Sequence, residues 1–177
     1  MPQITRNPET HFFTSFKTNL GWVRPISNSQ SLIRLDWNQI GWDDSDHPDD
    51  VSRETESQLK AYFAGRLLQF NLPLAPANKS ATSKEWLEVM ARIPYGNVIT
   101  YGDFASLAGN PKAARTAGSA CARNPIPIIY PCHRIVRSAG NLGNYGGGSN
   151  QHPNHPDNLA RKSGLLRLEA NSAANAT

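Results

Sequence analysis

Three prolines within the run NPIPIIYPCHRIV constrain this chain most, because they exclude regular secondary structure there. Pro125, Pro127 and Pro131 each lack a backbone N–H and hold φ near −65°. The run can therefore neither continue a helix nor lie in the middle of a regular sheet. It must follow an irregular path, and Cys132 and His133 stand at its end.

Cys132 and His133 are the residues of this run that can carry chemistry. A cysteine is a nucleophile as its thiolate, and a free thiol needs help to ionise at neutral pH. An imidazole that takes the proton, itself oriented by a carboxylate, provides that help. Adjacent side chains on a strand point to opposite faces, so the pair can cooperate only where the backbone bends. The dipeptide alone suggests a catalytic cysteine but is poor evidence for one, so a structural cysteine stays open.

The carboxylate partner cannot be identified by spacing. Glu169 closes the helical pattern LARKSGLLRLE, whose leucines favour packing onto the rest of the domain. It could face inward towards His133, or it could be a solvated glutamate at a helix end. The other cysteine, Cys121, lies in an alanine-rich helical stretch and is interpreted as a small buried apolar residue.

Strand signals and then a helical pattern occupy the N-terminal part. HFFTSFK, GWVRPIS and SLIRLDW are short, rich in aromatic and β-branched residues, and separated by turn residues. Pro25 predicts an edge or irregular position for the second strand. An amphipathic helix follows in VSRETESQLKAYFAGRLLQF. Its predicted first turn carries Glu54 and Glu56, and its predicted apolar face comprises Leu59, Tyr62, Phe63, Leu67 and Phe70.

A helix-turn-helix outline appears in the second half. ITYGDFASLAG and NPKAARTAGSACAR are helical patterns separated by Gly109, Asn110 and Pro111, with Pro111 predicted in the first turn of the second helix. From Ser83 onwards the chain has ten Lys and Arg against five Asp and Glu. A basic half is typical of nucleic-acid binding. The small residues of the second helix fit either a groove or close packing against another helix.

Composition excludes a membrane protein. No run approaches the length of a membrane span, and MPQITRNPETHFF lacks the features of a signal peptide. We therefore expect an intracellular protein, in the cytoplasm of a bacterium or the nucleus of a eukaryote. Two cysteines in a reducing compartment are expected to stay thiols.

The motifs in their order resemble one family. IPYGNVITYGDFASLAGNPKAARTAG, NPIPIIYPCHRIV, GNYGGG and RKSGLLRLE are similar to the C-terminal domain of the O6-alkylguanine-DNA alkyltransferases, the suicide DNA-repair proteins. The likeness spans residues 82–169. It implies an α+β fold, with a small N-terminal α/β, ribonuclease-H-like domain and a mainly helical, winged helix-turn-helix C-terminal domain.

The resemblance also implies domain boundaries and an activity. Residues 1–72 would form the structural N-terminal domain, 73–82 a linker, 83–171 the DNA-binding alkyl-acceptor domain and 172–177 a disordered tail. The protein would repair DNA by irreversible transfer of the alkyl group of O6-alkylguanine, and of O4-alkylthymine, to a cysteine, once per molecule. It would act as a monomer on double-stranded DNA, without a cofactor, metal or membrane.

Roles in the transfer follow from the resemblance. Cys132 would attack the alkyl carbon, His133 would take the thiol proton through a water, and Glu169 would hold His133. Asn124 would tie the active-site loop to the recognition helix. Tyr101 would crowd the target phosphate and give its proton to the departing base.

Roles on DNA follow in the same way. The nucleotide must be flipped out of the duplex to reach the thiol. Arg115 would fill the vacated place in the stack, and helix 111–122 would lie in the minor groove. Thr82, Asn110 and Ser138 match positions that contact the backbone of DNA.

The predicted pocket departs from the family pattern at two points. Its walls would be Tyr145, Gly146, Gly147 and Pro127. Gly146 stands where a serine is common, which suggests a wider pocket that favours bulkier alkyl groups. The segment GSNQHPNHPDN adds roughly ten residues before Glu169 and is interpreted as a surface loop. Its His152 and His155 could bind a metal, but no third ligand is evident.

Two other functions remain open from the sequence. A non-catalytic, alkyltransferase-like protein would bind alkylated guanine and recruit other repair factors. A cysteine hydrolase would use Cys132 and His133 to turn over an ester or amide, which would leave the basic helix-turn-helix unexplained.

Overall fold

The N-terminal part of the molecule is an antiparallel sheet. A computed structural model describes residues 10–77 and 79–176 of the chain. The predictions for residues 1–9, Asn78 and Thr177 lie outside that range. The four strands are β1 (Phe12–Phe13), β2 (Phe16–Thr18), β3 (Gly21–Ser27) and β4 (Leu32–Asn38). β3 pairs with β1 and β2 along one edge and with β4 along the other.

The edge position predicted from Pro25 is wrong, because β3 is the central strand. Pro25 pairs with Leu35 of β4, and on its other side the break between β1 and β2 falls opposite it. A proline cannot donate to a ladder, so the missing bond is placed where the neighbouring strand is interrupted. A register shift follows at Ile26 and Ser27. The predicted irregularity is therefore present within a central strand.

The first helix, α1 (Asp50–Phe63), is shorter than predicted. Asp49 caps it by accepting from the N–H of Ser52, and Asp50 is the acidic residue of its first turn, rather than Glu54 or Glu56. The helix ends before Gly65, which has a positive φ of 71°. The predicted apolar face therefore stops at Phe63, and Leu67 and Phe70 pack against the core from the following segment.

The predicted linker 73–82 is partly ordered against the sheet. The N–H of Leu32 donates to the carbonyl of Pro73 at 2.8 Å, and the N–H of Ala75 donates back to Leu32 at 2.9 Å. The next helix, α2 (Ala81–Ala91), begins with Ser80 as its N-cap. The last two residues of the predicted linker are thus helical.

Two helices, α3 (Tyr101–Leu107) and α4 (Ala114–Ala122), form the predicted pair. Thr100 and Asp103 make a capping box at the start of α3, and Gly109 turns the chain with a φ of 76°. The prediction that Pro111 lies in the first turn of α4 is wrong. Pro111 and Lys112 form a turn, and α4 begins only at Ala114, without a side-chain cap.

The proline run connects α4 to a short parallel pair of strands. β5 (Ile99–Thr100) pairs with β6 (Ile135–Val136). Between them the run bends at Ile128, whose φ of 73° is unusual for a β-branched residue. Ile128 is buried, so packing holds this conformation. Cys132–Arg134 then form one turn of 3₁₀-helix.

The last helix, α5 (Pro156–Asn175), continues well beyond Glu169. The disordered tail predicted from residue 172 is therefore helical through Asn175. Glu169 is buried within the helix rather than solvated at its end. His155 is the N-cap and Pro156 occupies the first turn, where its missing N–H is not needed.

One apolar cluster joins both halves of the molecule. It includes Val23 and Leu35 of the sheet, Tyr62 of α1, Met90 of α2 and Leu165 of α5. The α+β class predicted for the chain is confirmed, with helices and a small sheet. None of the helices in residues 10–77 and 79–176 is both long and apolar enough to cross a bilayer.

Candidate active site

Cys132 and His133 lie in a backbone turn, which meets the condition for adjacent residues to cooperate. In the 3₁₀ turn their side chains are not forced to opposite faces. Cys132 is only 2% exposed and His133 is fully buried. Both cysteines are free thiols.

Asn124 connects the end of α4 to the thiol. Its amide Nδ2 lies 2.7 Å from the carbonyl of Tyr130 and 3.2 Å from Cys132 Sγ, and its Oδ1 accepts from the N–H of Ile126 at 3.0 Å. One buried side chain thus fixes both ends of the proline run and donates to the sulfur. The Asn124 side chain thus connects the end of α4 to the turn that carries the thiol.

His133, Glu169 and Arg134 form a buried ionic cluster behind the thiol. His133 Nε2 lies 2.7 Å from Glu169 Oε1. A carboxylate can only accept, so Nε2 carries the proton and Nδ1 is left as the basic atom. Nδ1 is buried and has no hydrogen-bond partner among the described residues. Residue spacing did not show whether Glu169 faces His133 or solvent, and in the structure it lies against His133.

Arg134 is a member of this cluster that the sequence did not reveal. Its Nε donates to Glu169 Oε2 at 2.9 Å and its Nη2 to Oε1 at 2.9 Å, a bidentate pair. Its Nη1 donates to the carbonyl of Ile93 at 2.6 Å. The only signal was its position directly after His133.

Tyr62 and Gly96 complete the environment of Glu169. The hydroxyl of Tyr62 donates to Oε1 at 2.8 Å, and the N–H of Gly96 donates to Oε2 at 3.1 Å. Tyr62 comes from the N-terminal helix α1, where the sequence indicated only an apolar core position. A tyrosine at a core position is the signal that could have suggested a polar partner.

Lys162 is a second buried cation that sequence analysis missed. Its Nζ donates to the carbonyls of Ile135 at 2.6 Å and Asn144 at 3.1 Å, and it lies 3.5 Å from the hydroxyl of Tyr101. Burial lowers the pKa of Lys162 to about 8, while the two nearby cysteines act in the opposite direction. Lys162 therefore places positive charge close to Cys132.

The pKa values follow from burial and from these bonds. Burial raises the pKa of Cys132, although the Asn124 hydrogen bond and Lys162 both act to lower it. Burial lowers the pKa of His133, although Glu169 acts to raise it. The net lowering keeps the imidazole a neutral base. Burial alone would raise the pKa of Glu169, but the bonds from His133 and Arg134 hold it far below its usual value. The resting site thus contains a thiol, a neutral imidazole and a carboxylate.

Of the predicted pocket residues, Tyr145 lies near Cys132, and Gly147 lies against Asn124 and Pro127. Tyr145 is 2% exposed, and its hydroxyl has no hydrogen-bond partner in the described part of the chain. Burial raises the pKa of Tyr145, with Cys132 as the next cause. A Cβ on Gly147 would lie 3.0 Å from the carbonyl of Asn124 and 3.4 Å from Pro127 Cβ. Gly147 therefore allows the wall to approach the loop that carries the thiol.

The interpretation that Gly146 widens the pocket is not supported. A Cβ there would lie 3.0 Å from Pro153 Cγ and 3.2 Å from the carbonyl of Ala122, so the space is already filled. Pro153 belongs to the extra segment, and its carbonyl accepts from the N–H of Tyr145 at 2.9 Å. The segment thus packs against Tyr145 and Gly146, rather than being only a surface loop.

An open groove of about 840 Å³ lies beside α3 and α4, and Tyr101 and Asn144 in its lining contact Lys162 of the site. Arg115, Tyr101 and Ser138 line it, as do Arg137 and Gly118. Arg115 is exposed and has no hydrogen bond or ion pair within the described residues. A Cβ on Gly118 would meet nothing within 4 Å, so its small size does not serve packing against another helix. Ala117, by contrast, is fully buried.

Thr82 and Asn110 lie outside this groove. Thr82 lines a smaller depression of about 140 Å³ between α2 and α4, together with Lys79 and Arg123. Asn110 is exposed in the turn before α4, and its side chain donates to the carbonyl of Ala108 at 3.1 Å. The structure brings Cys132, His133, Glu169 and Asn124 together, and it leaves Thr82 and Asn110 at the periphery.

The two histidines of the extra segment have structural partners. His152 Nδ1 contacts Asn154, and His155 Nδ1 accepts from the N–H of Asp157 at 3.2 Å. Within residues 10–77 and 79–176 there is no group of three His, Cys, Asp or Glu side chains that could hold a metal ion.

Known proteins with similar sequences and structures point to one family. The family model for the DNA-binding domain of 6-O-methylguanine DNA methyltransferase matches residues 81–171. A methylated-DNA–protein-cysteine methyltransferase of Methanosarcina acetivorans is 45% identical over 117 residues, which are 66% of this chain and 68% of that protein.

Solved structures agree with this match. The O6-methylguanine methyltransferase of Mycobacterium tuberculosis superposes with a TM-score of 0.75 at 28% identity, over 92% of this chain and 94% of that one. A structure of M. tuberculosis OGT in complex with DNA gives a TM-score of 0.74 at 30% identity, over 90% and 93% of the two chains. With the cysteine, histidine and glutamate assembled as described, the chain belongs to the 6-O-methylguanine DNA methyltransferase family.

Proposed function

We propose that this protein repairs DNA by moving the alkyl group of O6-alkylguanine onto Cys132, once per molecule. The observation that carries the proposal is the Cys132 thiol, which lies 3.2 Å from Asn124 Nδ2 and next to a buried His133–Glu169 pair. Relatives named methylated-DNA–protein-cysteine methyltransferases support the same activity. O4-alkylthymine is a second substrate of this proposal.

The reaction is a single displacement. The bond from Sγ to the alkyl carbon forms as the bond from that carbon to O6 breaks, and guanine is the leaving group. The thiol proton passes to His133 Nδ1 through a bridging water, and Glu169 stabilises the imidazolium. The departing base takes up one proton, which the Tyr101 hydroxyl supplies and solvent restores. The thioether is stable, so the protein is consumed.

The thiolate is formed only as it reacts. The raised pKa of Cys132 keeps the resting group protonated, and the amide of Asn124 and the charge of Lys162 stabilise the developing anion. This arrangement protects the thiol from other electrophiles until an alkyl group is held next to it. Binding the base therefore supplies the proximity that the reaction needs.

DNA binds across the open groove, with α4 in the minor groove. The exposed guanidinium of Arg115 replaces the flipped nucleotide in the stack, since a planar cation can both stack and hydrogen bond. Open space at Gly118 supports a close approach of the helix to DNA. The phosphates are contacted by Ser138, Thr82 and Asn110, and the target phosphate is crowded by Tyr101. The base is enclosed by Tyr145, Gly146, Gly147 and Pro127.

The remaining parts of the proposal concern the state in which the protein acts. A monomer carries all the groups that the reaction needs, because every residue assigned to the site comes from one chain. The protein works where genomic DNA is found, in the cytoplasm of a bacterium or the nucleus of a eukaryote. The alkyl-acceptor domain predicted for residues 83–171 includes the whole of α2 and therefore begins at Ala81, and the residues before the linker form the supporting domain.

Mass spectrometry tests the activity directly. Incubation with duplex DNA containing O6-methylguanine is expected to add one methylene to the peptide that holds Cys132, in a one-to-one ratio. The Cys132→Ala variant is the matched control, and it is expected to bind the same DNA without an adduct. Binding of the damaged DNA by the wild type without any adduct would contradict the proposal. That result would favour the non-catalytic binder, whereas turnover of an ester would favour a hydrolase.

A further inference from the structure

Tyr62 connects the N-terminal helix to the reactive cluster by a direct hydrogen bond. Its hydroxyl donates to Glu169 Oε1 at 2.8 Å, although the two residues are 107 positions apart. Tyr62 is fully buried and Glu169 is 1% exposed, so water does not compete for this bond. Rings of Phe70 and Tyr95 pack against Tyr62 at 5.4 Å and 6.0 Å between centroids. Packing thus fixes the direction in which the hydroxyl points.

The same oxygen receives the proton of His133. Oε1 accepts from Tyr62, from His133 Nε2 at 2.7 Å and from Arg134 Nη2 at 2.9 Å. Donors that share one acceptor draw on the same electron density, so each weakens the pull on the others. Oε2 has its own donors, Arg134 Nε and the N–H of Gly96. The bond that sets the basicity of His133 is therefore the one that Tyr62 shares.

We propose that Tyr62 is a positioning residue of the alkyl transfer, which moderates the bond between Glu169 and His133 by donating to the same carboxylate oxygen. The inference rests on the proposed function for its role in catalysis. It gives the N-terminal part a chemical role beyond support, because helix α1 provides a donor that acts on the general base through Glu169.

Removal of the hydroxyl has a defined direction. In Tyr62→Phe the carboxylate loses one of its neutral donors, so it pulls more strongly on the Nε2 proton and raises the proton affinity of His133. The charged groups that face the pair are Arg134 on the same turn and Lys162 on α5, and the other titratable neighbours are Cys132 and Tyr95. None of them is altered by the substitution.

Tyr95→Phe is a matched control. The Tyr95 hydroxyl is buried and has no hydrogen-bond partner among the described residues, and Arg134 lies 5.6 Å from its ring. Both variants thus remove one buried phenol oxygen near the same arginine. Only Tyr62→Phe removes a bond to Glu169.

The first measurement is nuclear magnetic resonance of the protein labelled with ¹⁵N in its five histidines. The Nε2 proton of His133, assigned by its loss in His133→Gln, is expected to move downfield in Tyr62→Phe and to stay in place in Tyr95→Phe. A proton that does not move, or moves upfield, in Tyr62→Phe would overturn the proposal. This measurement needs no DNA, so it decides the role of Tyr62 even if the protein transfers no alkyl group.

The second measurement is the pH dependence of methyl transfer from duplex DNA. The proton affinity of His133 is expected to rise about threefold to tenfold in Tyr62→Phe, in line with a hydrogen bond to a charged group. The acidic limb of the rate profile should therefore move to higher pH by about half a unit to one unit. A uniform loss of rate with an unmoved profile would mean that Tyr62 only supports the fold, and would also overturn the proposal.

Discussion

Behind Cys132 the side chains are buried and bonded to one another, whereas in front of it they are exposed and have few partners. Glu169 alone accepts bonds from Tyr62, Gly96, His133 and Arg134. Arg115 on the other side has no hydrogen bond within the described residues. The buried side can be complete before substrate arrives because its partners are all within the chain. The open side must stay unpaired because its partner is DNA.

This difference separates two kinds of positive charge. Arg134 and Lys162 are buried, and their cost of burial is offset by Glu169 or by carbonyl oxygens. Arg115 and Arg137 are exposed and available for phosphates or bases. A count of basic residues does not distinguish the two kinds of charge. We expect substitutions on the buried side to lower stability and substitutions of exposed arginines to weaken the action on DNA.

Glu169→Gln is expected to have the largest effect, because it breaks the buried side. The amide leaves Arg134 as a buried, uncompensated cation, which costs about 3–5 kcal/mol of unfolding free energy. Urea unfolding measures this loss. The control is Glu85→Gln, which changes an exposed acid on α2 and should cost less than about 0.5 kcal/mol. Equal stability of the two variants would contradict the assignment of a preorganised cluster.

The pH dependence of stability gives an independent check on Glu169. Its folded pKa lies far below that of an unfolded glutamate, about 4.3. The unfolded state therefore binds more protons as the pH falls below about 5, and the stability that Glu169 provides is lost in acid. Glu169→Gln should remove this part of the slope of unfolding free energy against pH. The lowered pKa of His133 acts in the same direction below about 6.5.

Arg115→Ala is expected to affect the open side alone. Transfer from duplex DNA should fall about tenfold to a hundredfold, because a stacked group is worth about 1–3 kcal/mol. Unfolding free energy and transfer from a free O6-alkylguanine base should be unchanged, since the side chain has no internal partner. Single-turnover rates on the two substrates measure this. Arg167→Ala, which changes an exposed arginine on α5, is the control. A lower transfer rate of Arg115→Ala on the free base would refute the assignment of Arg115 to base flipping.

Pro153→Ala tests the junction between the two sides. Removing the ring opens space at Gly146, so the rate ratio of benzyl to methyl transfer should rise about twofold to tenfold, in the range of small changes in an apolar pocket. Competition between the two lesions in one tube measures the ratio. Pro156→Ala, at the first turn of α5, should leave it unchanged. An unchanged ratio in Pro153→Ala would show that the extra segment does not limit the alkyl group.

Arg137→Gln should produce the smallest effect. If this exposed arginine neutralises one phosphate, the slope of log affinity against log salt should become less steep by about one. Fluorescence anisotropy on undamaged duplex at several salt concentrations measures the slope. The stability loss of Glu169→Gln should stay nearly constant over the same salt range, because buried pairs are poorly screened. If the effect of Arg137→Gln on affinity and the stability loss of Glu169→Gln depended equally on salt, the distinction between the two sides would be removed.

The parts that local pattern determines could be predicted from the sequence. The helix pair, the strands and the irregular proline run follow from turn residues and periodicity, and all of them are present. The extent of α1 and α5 could not be predicted, since Leu67, Phe70 and residues 172–175 have patterns that fit both a helix and a packed segment. Of the two alternatives that Pro25 suggested, the irregular strand is present, and the edge position is wrong because a central strand can tolerate a proline where its neighbour is interrupted.

The long-range polar contacts of the site could not be predicted from residue spacing in the sequence. Glu169 was one of several possible acids until α5 placed it against His133, and Tyr62 looked like an ordinary core residue. Pro153 could not be seen to fill the space at Gly146, because the contact depends on how the extra segment folds back. In each case the deciding fact is a meeting of residues far apart in the chain.

The bonds along β4 have a consequence for the independence of the two halves. Its outer edge is occupied by residues 73–77, by the carbonyl of Pro125, which accepts from Leu35 at 2.9 Å, and by that of Gly148, which accepts from Trp37 at 2.7 Å. An unpaired strand edge is a template for aggregation. A fragment that ends at the linker would lack the carbonyls of Pro125 and Gly148 along this edge, so we expect it to self-associate more readily than the full chain.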